Sequence, residues 1–175
     1  PTRRSSDLLL LGAGALAAAA GAGLAWWRLR PHAVEPGASD GFWGLQFQSL
    51  DGSALPMSRF QRSPLLVNFW ATWCPPCIEE LPMINDFFRQ QRAKGWQVLG
   101  LAVDQQAAVE RFLARQPLDF PIALAGLAGT ELSRSLGNLS GGLPFTVVFD
   151  AGGQVRQRKM GKLTPADLTA WASPG

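Results

Sequence analysis

Two cysteines occur in this chain of 175 residues, and both stand in one run, Phe69-Trp70-Ala71-Thr72-Trp73-Cys74-Pro75-Pro76-Cys77. Thiols at this spacing exchange electrons as a dithiol and a disulfide, by attack of a thiolate on a disulfide sulfur. Other uses of a cysteine pair fit poorly. A structural zinc site draws four ligands, and the single histidine, His32, lies far upstream. A bridge that closes so short a loop removes little entropy from the unfolded chain. Redox chemistry is therefore expected, with no metal and no cofactor.

The flanking residues say how the thiols must be held. Pro64-Leu65-Leu66-Val67-Asn68-Phe69-Trp70 is apolar and β-prone, which predicts a buried central strand. From Pro75 the pattern turns helical, with Ile78, Leu81, Ile84, Phe87 and Phe88 at spacings of three and four. Proline suits a first helical turn, where its missing N–H has no helical partner. Cys74 then sits at a helix N-terminus, whose positive partial charge favours a thiolate. Cys74 is expected to be the exposed attacking thiol and Cys77, one turn in, the buried resolving thiol. Pro75 and Pro76 offer the Cys74 sulfur no N–H, which leaves its thiolate less stabilised and the couple more reducing.

The run Val-Asn-Phe-Trp-Ala-Thr-Trp-Cys-Pro-Pro-Cys, continued by Ile78-Glu79-Glu80-Leu81-Pro82, resembles the membrane-anchored TlpA/ResA-type thiol–disulfide oxidoreductases of the thioredoxin superfamily. Pro82 stands where thioredoxin-like proteins kink this helix. Gly142-Leu143-Pro144-Phe145-Thr146 resembles their cis-proline loop, and Leu99–Ala125 resembles the helix and strand that this subfamily adds. The resemblance implies an α/β thioredoxin fold: a central mixed β-sheet flanked by helices, with an N-terminal hairpin and a central helix–strand insert, preceded by one transmembrane helix. It implies protein disulfides and dithiols as substrates, reduction as the direction, apocytochrome c thiols as the leading target, and a membrane electron donor.

Thioredoxin itself carries a buried aspartate on the strand before the motif, where this chain has Asn68, which cannot take a proton. The resemblance offers Glu80 in its place, as general acid and base for Cys77. A second reading makes Glu79 and Glu80 simple complements of the helix dipole. By the same resemblance, a cis Leu143–Pro144 bond would expose the Leu143 backbone to a substrate strand, although Gly141-Gly142 also allows an ordinary trans turn. Trp73, Pro75 and Pro76 complete the expected substrate contacts, while Trp70 reads as core.

Around the site, Phe42–Leu50 predicts a first strand and Asp51-Gly52 a hairpin turn. The active-site helix runs to about Lys94 and stops at Gly95. Strands are expected over Trp96–Val103, Pro121–Leu124, Thr146–Asp150 and Val155–Met160, and a helix over Gln105–Gln116. A short helix is expected over Thr130–Leu136 with Thr130 as cap, and a terminal one with Thr164 as N-cap and Pro165 at its first position.

The N-terminus has another character. Leu8 to Trp27 is uncharged and long enough to cross a bilayer, with Trp26-Trp27 as an interface belt and Arg28 and Arg30 beyond. A cleaved signal peptide is the competing reading. Residues 1–30 are thus expected to form an anchor, 31–41 a linker, and 42–175 one thioredoxin-like domain. Arg3, Arg4, Arg28 and Arg30 against Asp7 account for the whole net charge of +3. Residues 31–175 carry 12 basic and 12 acidic side chains, net zero, which leaves a nucleic-acid partner no basic patch. Disulfide exchange places the domain in an oxidising periplasm, on a bacterial inner membrane. Two other functions share the fold. A peroxiredoxin-like peroxidase would resemble Pro-x-x-x-Thr-x-x-Cys, but Thr72 lies only two residues before Cys74. A redox-inert binding module would not need the cysteine pair.

Overall fold

The computed structural model describes residues 38–173, so the expected anchor and most of the expected linker lie outside the described residues. Among the described residues no helix is long and apolar enough to cross a membrane. The strands are β1 (Gln46–Ser49), β2 (Ala54–Pro56), β3 (Leu65–Trp70), β4 (Gln97–Ala102), β5 (Ile122–Leu124), β6 (Phe145–Phe149) and β7 (Val155–Met160). The helices are α1 (Ala38–Trp43), α2 (Pro75–Gln91), α3 (Gln106–Arg115), α4 (Ala128–Ser135) and α5 (Pro165–Ala172).

All seven strands form one mixed sheet in the order β2-β1-β5-β4-β3-β6-β7. Its interior is β3, parallel to β4 and antiparallel to β6. The parallel pair β3 and β4 needs a crossover, and α2 supplies it. β3 and β6 are buried along their whole length, which is why both read as continuous apolar runs rather than alternating ones. Side chains alternate across the sheet. Leu66 and Trp70 enter the core layer with Leu81, Ile84, Phe112 and Leu168, on the side of α2, α3 and α5. Leu65, Val67 and Phe69 enter the opposite layer, with Phe42, Leu101 and Val147. The thioredoxin-like architecture, the N-terminal hairpin and the inserted α3–β5 segment match the expected fold.

Most element ends follow from their local chemistry. Gly95 adopts φ 90° and ends the helical segment after α2. Thr164 caps α5 in a reciprocal capping box with Asp167, and Pro165 is at its first position. Gly52, with φ 82°, turns the β1–β2 hairpin.

Two expectations are corrected. Phe42 and Trp43 belong to α1 and not to a strand, and β1 begins only at Gln46. Adjacent residues of a strand point to opposite faces, whereas a helical turn lets both rings pack on Phe149, with centroids at 4.7 and 5.0 Å. Trp43 Nε1 also donates to the Gly153 carbonyl at 2.9 Å. Thr130 is not a cap, because α4 starts two residues earlier at Ala128. Gly126, at φ 54°, makes the turn, and Gly129 then lies so close to Ala125 and Val103 that a Cβ there would sit 2.7 and 3.0 Å from their side chains.

Gly100 in β4 has a similar constraint: a Cβ would stand 2.5 Å from Ile122 Cδ1 and 3.1 Å from Trp70 Nε1. Gly100→Ala is expected to lower stability by about 1–3 kcal/mol, read as a lower urea midpoint at unchanged slope. Gly44→Ala, where a Cβ meets only one atom at 3.7 Å, should be near neutral. Equal midpoints for the two variants would show that the β4–β5 layer can yield.

Candidate active site

The site lies at the C-terminal ends of the parallel strands β3 and β4, where open α/β sheets place their crevices. Cys74 is the N-cap residue of α2, and its sulfur is bonded to that of Cys77 at 2.03 Å. Cys74 is not exposed as expected: it is 5 % accessible in the disulfide, packed in the core layer, and Cys77 is fully buried, so the first cysteine is only slightly the more accessible. The loop before it is fixed by a residue that the sequence reading passed over. Asp104, just past β4, accepts hydrogen bonds from Thr72 N at 2.8 Å and Thr72 Oγ1 at 2.6 Å.

Two prolines occupy the first helical positions, so the donors that open α2 are those of Cys77 and Ile78. Both donate to the Cys74 carbonyl, at 3.1 and 3.2 Å, and no backbone N–H caps the Cys74 side chain. Pro75 is exposed and Pro76 half-buried. Trp73 stands 65 % exposed beside the disulfide.

One turn beyond Cys77, Glu80 is fully buried. Its Oε1 accepts from Asn68 Nδ2 at 2.7 Å and its Oε2 from the Leu163 backbone N–H at 2.7 Å. Burial pushes the Glu80 carboxyl above the usual glutamate range; the Leu163 N–H, the Asn68 amide and the Lys162 charge pull the other way without cancelling it. Glu79 is different. It lies at the surface in an ion pair with Lys162 at 2.5 Å.

The Leu143–Pro144 bond is cis. Pro144 is buried and Leu143 half-buried. Asn138, which the sequence reading did not single out, ties this loop down by donating to the Gly142 carbonyl at 2.8 Å and to Ser133 Oγ at 3.2 Å. Between this loop and the disulfide segment runs a groove of about 650 Å³, lined by Trp73, Val103, Leu127, Thr130 and Leu143. The structure thus gathers Trp73 and Leu143 on one groove and sets Glu80 in the core behind the dithiol. Among the described residues no three His, Cys, Asp or Glu side chains are placed to hold a metal ion.

Comparison with known proteins identifies the lineage. The profile of the Redoxin family matches residues 37–170. The chain belongs to the Redoxin family. This redoxin is 31 % identical over 120 residues to the thiol-disulfide oxidoreductase ResA of Bacillus thuringiensis, covering 68 % of the chain and 67 % of that relative. It is 30 % identical to ResA of Geobacillus kaustophilus over the same shares of the two chains. Among solved structures, a DsbE-type thiol:disulfide interchange protein described as such from Chlorobium tepidum superposes with a TM-score of 0.63 at 28 % identity, covering 73 % of this chain and 86 % of that one. A thioredoxin-related protein of Neisseria meningitidis gives 0.65 at 28 % identity, covering 72 % and 95 %. The redoxin is a TlpA/ResA-type protein of the thioredoxin superfamily and a thiol–disulfide oxidoreductase.

Glu80 makes stability depend on pH in a way that can be isolated. Its folded-state pKa is raised, so the folded protein holds that proton more tightly than the unfolded chain does. Stability should fall as pH rises from the ordinary glutamate range through the raised folded value, and level off above it. Asp119 and Asp167 are held below the usual aspartate range by hydrogen bonds from Arg89 and Thr164, so their contributions vanish only in stronger acid. Urea unfolding of the oxidised protein, whose cysteines do not titrate, should show this loss in the wild type and not in Glu80→Gln. Parallel pH curves for the two proteins would show that Glu80 titrates as an ordinary carboxyl.

Proposed function

We propose that this redoxin reduces protein disulfides from a membrane tether, with Cys74 as nucleophile, Cys77 as resolving thiol and Glu80 as their proton acceptor. The observation that carries the reading is the Cys74–Cys77 pair at the start of α2, with a buried carboxyl one turn further along the same helix. The Cys74 thiolate attacks one sulfur of the partner disulfide, forming a mixed disulfide and releasing one partner thiolate. Cys77 passes its proton to the Glu80 carboxylate and attacks Cys74 Sγ. The second partner thiol leaves, and the internal disulfide forms. Two electrons have moved from the dithiol to the partner. An external dithiol donor, read here as a membrane protein, must restore the reduced form.

The direction is supported by the poverty of donors at Cys74. Pro75 and Pro76 have no N–H, and those of Cys77 and Ile78 are bonded to the Cys74 carbonyl. A thiolate with few charge-assisted bonds is less stabilised, which makes the couple more reducing. The tether rests on the uncharged Leu8–Trp27 run with its Trp-Trp-Arg flank. A periplasmic domain is supported by the use of disulfide exchange in an oxidising compartment. A disulfide of apocytochrome c as target, reduced to its two thiols, and Trp73, Pro75, Pro76, Leu143 and Pro144 as substrate contacts, rest on the likeness to TlpA/ResA-type proteins.

Thiol trapping and redox equilibration test this. Cys77→Ser should accumulate mixed disulfides with protein substrates and Cys74→Ser should not; faster alkylation of Cys77 than of Cys74 in the reduced protein would reverse the roles. Equilibration with glutathione should give a potential nearer the thioredoxin value of about −270 mV than the DsbA value of about −120 mV. A strongly oxidising couple, or rapid peroxide consumption without insulin reduction, would replace the reductant reading.

A further inference from the structure

Asn68 is out of character with its strand. β3 is buried along its length, and Asn68 is its one polar residue. Opposite it in the antiparallel register stands Thr146, the one polar residue of buried β6. Two polar side chains facing each other in a core are costly unless their hydrogen bonds are met. Here they meet at one amide: Asn68 Nδ2 donates to Glu80 Oε1 at 2.7 Å and to Thr146 Oγ1 at 3.0 Å. The amide oxygen is buried and has no hydrogen-bond partner among the described residues.

We infer that Asn68 is a positioning residue for proton exchange at the dithiol, donating to the Glu80 carboxylate when it is charged and turning its amide over to accept from the carboxyl once that has taken a proton. The inference rests on the reading of Glu80 as the acceptor for Cys77. A carboxylate only accepts hydrogen bonds, whereas a carboxylic acid also donates one. An amide is the side-chain group that presents donors at one end and an acceptor at the other in nearly the same shape. A half-turn replaces Nδ2 by Oδ1 with almost no change of volume. The Thr146 hydroxyl can donate as readily as accept, so it follows the turn.

Both contacts therefore survive in either charge state, but not equally. With Glu80 ionised, the bond from Nδ2 is charge-assisted and about twice as strong as a neutral one. With Glu80 protonated, the turned amide leaves its two N–H donors where the unpartnered oxygen now lies. Asn68 thus favours the ionised form relative to a side chain with nothing to donate. The Leu163 N–H and the Lys162 ammonium, on the segment before α5, act in the same sense, and burial opposes them. The other titratable groups around this junction are Cys77 on α2, Glu79 in its pair with Lys162, and Lys159 of β7 paired with Asp167 of α5.

The test uses the full-length protein as wild type, Asn68→Leu, Glu80→Gln and the double variant. The titration of the Glu80 carboxyl is followed by carbon-13 NMR in the oxidised form, beside the pH–rate profile of insulin reduction. Asn68→Leu should move the Glu80 midpoint and the acid limb of the profile together to higher pH, by about one unit, a tenfold loss of rate on the acid side. In the Glu80→Gln background the same substitution should move nothing. An unmoved Glu80 midpoint in folded Asn68→Leu overturns the inference alone. A profile that Glu80→Gln leaves unchanged overturns the reading of Glu80 and this inference with it. The wild type supplies a check that needs no variant: the Asn68 side-chain amide resonances should titrate with the Glu80 midpoint, and resonances constant across that range contradict the turning amide.

Discussion

A carboxyl group buried in the core is the constraint around which this domain is arranged. Glu80 is cut off from water, and an ionisable group there is costly unless fixed dipoles replace the lost hydration. Its partners come from two distant parts of the chain, the Asn68 amide of β3 and the Leu163 N–H ahead of α5. Satisfying the carboxyl therefore ties α2 to the centre of the sheet and to the segment that leads into the last helix. Because Cys77 precedes Glu80 by one turn of the same helix, the bonds that hold the carboxyl also hold the Cys77 sulfur. The Lys162–Glu79 pair lies beside this junction at the surface, where its electrostatic share is small.

Two further polar anchors divide the remaining work. Asp104 takes both donors of Thr72 and so fixes the turn that delivers Cys74 to the start of α2. Asn138 performs the same service for the loop before β6. Neither touches a sulfur. They hold the two walls of the groove between Trp73 and Leu143, so the proposed partner contacts would be made on a surface already ordered, with little entropy left to lose. Against that rigid frame the start of α2 is deliberately poor in donors, a local choice made by Pro75 and Pro76.

What could be read from the sequence, and what could not, follows from the range of the interactions. The strands β3, β4, β6 and β7, the helix α2 and the Thr164–Pro165 start of α5 are written in nearest neighbours and short periods, and they were legible. Phe42-Trp43 was misread because the reason for its helix is Phe149, more than a hundred residues away along the chain, and no local pattern carries that. Thr130 has a capping residue's chemistry, but the close approach of Gly129 to Val103 sets the start of α4 earlier. In the site, the cysteine pair is visible from spacing alone, while Glu80 was reached through resemblance to a family. Asn68 did leave a signal, a lone amide in an apolar strand, but its meaning depended on Thr146 and Glu80 being beside it. Asp104 and Asn138 left none, because an acid or amide in a loop is ordinary.

The reduction potential measured as a function of pH tests the coupling of Glu80 to the dithiol most directly. A two-electron couple that takes up two protons falls by about 59 mV per pH unit, and the slope departs from this wherever a group has different proton affinities in the two redox states. If Glu80 exchanges protons with Cys77, the wild type shows such a departure above the ordinary glutamate range, and Glu80→Gln runs straight through it. Superimposable plots for the two proteins would contradict the coupling and leave Glu80 a structural acid.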